Sequence, residues 1–264
     1  MQFKQKYGPW AIIAGAAEGL GEAWSRGLAR RGVNLMMLDN QSDKLKELSE
    51  ELGTAFNIET LTLHLDLSDK GATDKIMTLV AGQDCGLLIY NAAYSLIKPF
   101  TSHTSEELNN YIEINARTQL SLVHAFARYL TEKNRAGGII LMSSLAGLLG
   151  MQLVAPYAAT KAFTWNLAEA IHHELKPHNI DVMACVAGAT ATPAYLKTNP
   201  DYGKLKPQVM KPEAVVESAL KNLGKKTLFI PGGTNRLNYF ILTRLLPRKL
   251  ASRIANNTMK KMYS

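Results

Sequence analysis

Cysteine is scarce in this chain of 264 residues, with Cys85 and Cys185 the whole complement. They lie far apart in apolar runs and lack metal-ligand spacing. They therefore read as buried free thiols of a cytoplasmic protein, not as a disulfide or a zinc site. Long apolar runs are also missing. No stretch reaches the ~18 uninterrupted apolar residues of a spanning helix, and Met1–Lys6 runs to Pro9 without the apolar core of a secretory leader. Acidic residues are absent from Lys221 to Ser264, which hold ten Lys/Arg, so the net charge of +8 divides into +10 there and −2 over the remaining 220 residues. A basic tail suits an anionic partner, a membrane surface or a solubilising rim. Its few aromatics, Tyr239, Phe240 and Tyr263, are too sparse for a base-stacking platform, which argues against nucleic acid.

What is present is a repeating β-α pattern. Apolar runs at 10–14, 34–38, 61–65, 86–90, 138–143, 180–186 and 227–230 are continuous, not alternating, as expected of parallel strands covered on both faces. Helical patterns such as 22–31, 42–52, 106–133 and 155–176 separate them. The expected fold is α/β, a doubly wound, mostly parallel seven-stranded sheet with helices on both faces. With no linker, repeat or low-complexity block, residues 1–264 read as one domain. A connecting segment at about 189–212 follows the sixth strand, and a basic amphipathic extension is expected at about 234–264.

The first strand runs into Gly15-Ala16-Ala17-Glu18-Gly19-Leu20-Gly21 and then a helix. Glycines at such a junction permit a tight turn and let a pyrophosphate approach the backbone at the helix N-terminus. The bare alternative is a tight turn with no ligand. Within this turn, Gly15, Ala17, Glu18, Gly19, Leu20 and Gly21 are the candidate contacts. Asp39 ends the second strand, where an acid can bond both ribose hydroxyls and repel a 2′-phosphate; it could instead cap the loop before Ser42. Glu18 would add to that repulsion if it faces the same ribose, so NAD is favoured and NADP is the alternative.

Tyr157 and Lys161 stand one helical turn apart and share a face. An ammonium near a phenol favours the phenolate, which turns a tyrosine with an ordinary pKa of ~10 into a usable general acid/base. Ser144 closes the fifth strand thirteen residues earlier, and strand end and helix start converge at the carboxyl edge of such a sheet. Six histidines are scattered; the adjacent His172 and His173 are not expected to face each other, and no metal site is expected.

Taken together, these residues resemble the short-chain dehydrogenase/reductase family, a Rossmann-like fold. The match rests on Gly15/Gly19/Gly21, Asp66, Asn91-Ala92, Asn115, Ser144, Tyr157, Lys161 and Gly188…Thr192. The resemblance implies a hydride transfer between NAD(P) and a secondary alcohol or ketone. Tyr157 would exchange the proton, and Ser144 would position the substrate oxygen. Lys161 would tune Tyr157 and bind the nicotinamide ribose, while Asn115 would hold a relay water. Asp66 and Leu67 would contact adenine; Asn91, Ala92 and Ala93 would line the cofactor; and Gly188, Thr190 and Thr192 would line its nicotinamide end. Three positions depart from the family pattern: Ala14 for threonine, Ala93 for glycine and Ala187 for proline. The resemblance also implies a homodimer or homotetramer through helices 106–133 and 155–176. A non-catalytic NAD-binding sensor is the alternative, against which the intact Ser144/Tyr157/Lys161 set argues.

An apolar substrate is expected, with Leu145, Leu149, Met151 and Leu153 walling one side and Tyr195, Leu196, Pro200, Tyr202 and Leu205 the other. Leu237, Phe240, Ile241, Leu245 and Leu246 recur at helical spacing among Arg236, Arg244, Arg248 and Lys249, are broken at Pro247, and resume at Leu250 and Ile254. That segment is expected to act as a lid or packing element, or to lie at a membrane surface.

Overall fold

A computed structural model describes residues 3–201 and 209–263 of the chain. The apolar runs become β1 (Trp10–Ala14), β2 (Asn34–Asp39), β3 (Thr60–His64), β4 (Cys85–Tyr90), β5 (Gly137–Ser144), β6 (Ile180–Ala187) and β7 (Leu228–Phe229). They form one sheet in the order β3-β2-β1-β4-β5-β6-β7, and every pairing is parallel.

Parallel strands need crossovers, and helices between them supply these. The helices in chain order are α1 (Phe3–Tyr7), α2 (Leu20–Ala29), α3 (Ser42–Phe56), α4 (Ala72–Ala81), α5 (Ser105–Ile112), α6 (Thr118–Glu132), α7 (Ala155–Leu175), α8 (Pro193–Lys197), α9 (Pro212–Asn222), α10 (Gly233–Phe240) and α11 (Arg248–Tyr263), with α1 before β1 and α10 and α11 after β7. Successive strand residues point to opposite faces. Ile13, Met37, Ile89 and Met183 therefore pack with Trp24, Leu45 and Val216 beneath α2, α3 and α9. Ile12, Met36, Leu88 and Val182 pack with Ile76, Val123 and Phe126 beneath α4 and α6. Burial on both faces is why the strands read as unbroken apolar runs. Each such side chain contributes about 1.5–3 kcal/mol. Cys85 and Cys185 sit in this core as free thiols, each pushed up to about 12 by burial.

The single helix expected over 106–133 is instead two, joined by a π-helical segment, Glu113–Arg117. Side-chain pull accounts for the break. The Tyr90 hydroxyl donates to the Ile114 carbonyl at 2.6 Å, and Asn115 is drawn to the backbone of Tyr94. A π segment frequently marks a functional site. The α5 N-terminus is closed by a capping box between Thr104 and Glu107. His172 and His173 also depart from expectation, their rings meeting edge to face at 5.3 Å. Among the described residues no group of His, Cys, Asp or Glu has the makings of a metal site, and no helix is long and apolar enough to cross a membrane.

Candidate active site

Strand order reverses between β1 and β4, the crevice where ligands bind in such sheets. A cleft of about 1340 Å³ opens there along the carboxyl edge. The β1–α2 turn forms its floor. Gly15 has φ +78°, and an added Cβ would lie 2.7 Å from Ala92 Cα; Gly19 has φ +63° and faces Thr192. An added Cβ at Gly21 would collide with the Gly15 carbonyl. No side chain caps α2 at Gly19, which leaves first-turn N–H groups for phosphate oxygens. Asn91 Nδ2 donates to the Gly15 carbonyl at 2.7 Å, and the Asn91 and Ala92 amides donate to Ala14. The chain needs no hydroxyl at Ala14 to tie this turn down, because its carbonyl does so.

Asp39 stands at the end of β2, where its carboxylate accepts from Ala17 N at 2.9 Å and from Gln41 N at 3.0 Å. Each oxygen keeps a lone pair for a ribose hydroxyl. Glu18 lines the same corner but is ion-paired with Lys44. Its charge is thus partly met, and Asp39 is the other carboxylate at this corner.

Ser144, Tyr157 and Lys161 meet at the middle of the cleft. Ser144 ends β5, its hydroxyl accepting from Ala146 N at 3.2 Å. The neighbouring Ser143 is committed elsewhere, donating to the Lys161 carbonyl at 2.7 Å. Lys161 is buried; its Nζ donates to the Met142 carbonyl at 2.8 Å and lies 5.5 Å from the Tyr157 ring centroid. Burial lowers Lys161 to about 8. Burial also raises Tyr157, with the neighbouring Ser144 hydroxyl acting against it. The expected depression of the phenol by Lys161 is therefore not what this geometry produces: desolvation dominates, and the ammonium sits under the ring and on a carbonyl. Gly147, which sequence reasoning passed over, supports the lysine, since an added Cβ would lie 2.7 Å from the Lys161 carbonyl carbon and the Ala162 nitrogen.

Other expected contacts divide in two. Glu18, Gly19, Leu20, Asp39, Asn91, Ala92, Ala93, Gly188, Thr190 and Thr192 line the cleft. Gly15, Ala17, Gly21, Asp66, Leu67 and Asn115 are not among its walls. Asp66 caps Ser68, and the Leu67 carbonyl takes the Thr118 hydroxyl at 2.7 Å. Asn115 is buried, locked by Tyr94 N at 2.7 Å, the Tyr94 carbonyl at 2.9 Å and Thr160 at 3.1 Å. Thr190 donates to the Gly188 carbonyl, and Thr192 caps α8. Gly188 abuts the Asn235 amide.

The apolar wall departs from expectation in detail. Leu145, Leu149 and Met151 line it, but Leu153 does not; Leu148 and Val154 do instead. Leu153 has φ +64°, and its carbonyl binds Lys98 N. Tyr195 lines the cleft, whereas Leu196 is exposed. Pro200 is not among the walls, and Tyr202 and Leu205 lie outside the described residues. Sequence reasoning singled out Leu246 and Ile254 in an expected lid or packing segment but not the residues beside them: Leu242, Leu246, Ile254, Met259, Met262 and Tyr263 together close the far side. The helix α11 that carries the last four is clasped by Asn256. Its Oδ1 accepts from Gln152 N at 2.7 Å, its carbonyl from Gln152 Nε2 at 2.6 Å, and its Nδ2 donates to Gly150 at 2.9 Å. Thr198 meets Tyr263 at 3.1 Å, and Asp201 N donates to Met262.

The family model for short chain dehydrogenase matches residues 9–203. This chain belongs to that family. It is a nicotinamide-dependent oxidoreductase, and the glycine turn, the uncapped helix and Asp39 are a cradle that fits the dinucleotide. The chain is 33% identical over 240 residues to a 7beta-hydroxysteroid dehydrogenase of Mediterraneibacter gnavus, covering 89% of this chain and 90% of the relative. A solved structure from work on 7beta-hydroxysteroid dehydrogenase stereoselectivity superposes with a TM-score of 0.89 at 29% identity, covering 97% of this chain and 99% of that one. That coverage carries the likeness past residue 203 into the C-terminal wall. A short-chain dehydrogenase of Sphingobium yanoikuyae, solved in complex with NADPH, superposes with a TM-score of 0.79 at 25% identity, covering 89% and 92%.

Proposed function

We propose that this short-chain dehydrogenase interconverts a bulky, apolar secondary alcohol and its ketone, with NAD as the preferred cofactor. The observation that carries the reading is the cleft itself. Ser144, Tyr157 and Lys161 open onto a cavity of about 1340 Å³ whose far walls are Leu, Met, Ile and Tyr side chains. Apolar lining with a few convergent polar groups selects a large hydrophobic ligand and orients it by one oxygen. The similarity to hydroxysteroid dehydrogenases supports a substrate of that size and rigidity.

The bound nicotinamide would supply or take the hydride at the substrate carbon. The chain's own residues handle the oxygen. Ser144 donates to it, and Tyr157 gives or takes the proton, so that donors stand where negative charge develops. A phenol held protonated by burial is the form needed to reduce a ketone. Lys161 would hold the nicotinamide ribose, and Asn115 would fix the wall behind it through Tyr94. Asp39, with its charge at the adenosine end, supports NAD; the Glu18–Lys44 pair is the feature through which NADP would gain. The intact catalytic set speaks against a cofactor-binding sensor. A panel of small and bulky ketones and alcohols, followed by NADH absorbance with NADPH in parallel, tests the reading. Turnover confined to small polar substrates, or no preference for NADH, would refute it.

A further inference from the structure

We infer that the outer face of the α10–α11 segment docks on an anionic lipid surface, with the cleft mouth beside it. Leu237, Phe240 and Leu245 are 58%, 50% and 61% exposed. Leu237 and Phe240 lie three apart on α10, and the π segment Ile241–Leu245, with its Leu246 N to Ile241 O bond, brings Leu245 back over Phe240. Three large apolar side chains thus form one outward stripe, which a water-facing helix has no use for. Cations border it, with Arg244, Arg248 and Lys249 all exposed. Among the described residues, none of the ten cations from Lys221 onward has an ion-pair partner. The ion pairs among the described residues all lie in the near-neutral body, while the tail keeps its positive charge. An apolar stripe edged by unpaired cations is complementary to acyl chains beneath anionic headgroups. The same segment turns Ile241, Leu242 and Leu246 inward onto the cleft. A ligand dissolved in the bilayer would therefore have a short apolar route to Tyr157. The docking surface itself does not depend on which substrate the site takes.

The test is co-flotation of the full-length protein with vesicles of phosphatidylcholine alone or of equal parts phosphatidylcholine and phosphatidylglycerol. Partitioning at least tenfold stronger onto the anionic vesicles is expected, weakening with salt. Leu237→Gln/Phe240→Gln/Leu245→Gln should reduce it at least tenfold with an unchanged melting temperature. Arg244→Gln/Arg248→Gln/Lys249→Gln should remove the preference for phosphatidylglycerol. Absence of binding, or binding unaffected by the apolar triple variant, overturns the inference. So does light scattering that shows an assembly which the apolar variant dissolves, since the stripe would then be covered by a second copy of the chain.

Discussion

The two ends of the cleft are built by different means. At the nucleotide end, Gly15, Gly19 and Asn91 follow β1 and β4 and Asp39 ends β2, and backbone groups hold them: Ala14 to Asn91 and Ala92, Ala17 and Gln41 to Asp39. At the substrate end, the walls come from 145–154, 195–198 and 238–263 and are joined by side-chain clasps such as Gln152–Asn256 and Thr198–Tyr263. The first end is a property of the sheet. The second is a set of loops and helices leaning on one another, and can change without disturbing the strands. The contrast teaches where binding ought to be insensitive to sequence change and where specificity is tuned.

The largest effect should come where the two ends meet. Tyr157→Phe removes the proton carrier and leaves the cofactor cradle intact, so turnover should fall by about 10²–10⁴-fold. NAD binding, read by quenching of protein fluorescence, should be unchanged. Near-normal turnover would mean that the oxygen chemistry lies elsewhere. A charge test at the nucleotide end comes next. Asp39→Asn keeps the size of the side chain and removes its charge, and should improve NADP relative to NAD by at least about tenfold in kcat/KM, or ~1.4 kcal/mol. An unaltered ratio would assign the choice to the Glu18–Lys44 pair. Asn256→Ala should act only at the other end. Losing partly exposed hydrogen bonds worth about 1 kcal/mol each should raise KM for a bulky ketone several-fold and leave KM for NADH and for a small ketone alone. A parallel rise in KM for NADH would erase the distinction between the ends.

That distinction also decides what the sequence could disclose. Glycines, an acid at a strand end and a Tyr-x3-Lys spacing are local patterns with local causes. From them the sheet and the positions of Asp39, Ser144, Tyr157 and Lys161 were legible. The π segment at Glu113–Arg117 was not, because it arises from Tyr90 and Tyr94, more than twenty residues away along the chain. Gly147 carries no motif; its requirement is the approach of the Lys161 backbone. The C-terminal stripe was visible as a helical repeat, yet its residues split, Ile241 and Leu246 turning inward and Leu237, Phe240 and Leu245 outward. A period describes a helix, not which neighbour each side chain meets, and here a π turn and Pro247 change the phase.

The smallest effect concerns the lysine that both ends share. Free lysine titrates near ~10.4, whereas burial holds Lys161 at about 8 in the folded protein. Between these values the unfolded chain binds a proton that the folded chain has released. Stability attributable to this site therefore rises with pH through that window, by at most ~1.4 kcal/mol per pH unit. Below pH 8 both states are protonated, and the folded protein bears the whole cost of the buried ammonium. Other groups titrate nearby, so the useful quantity is the difference between wild type and Lys161→Met in urea unfolding at pH 7.5, 8.5 and 9.5. The methionine variant should be the more stable at pH 7.5, and the gap should narrow as pH rises. A gap that is flat with pH would show that the ammonium bound to the Met142 carbonyl and under the Tyr157 ring is as well solvated as in water. The apolar surroundings that keep Tyr157 protonated would then have no electrostatic effect on its partner.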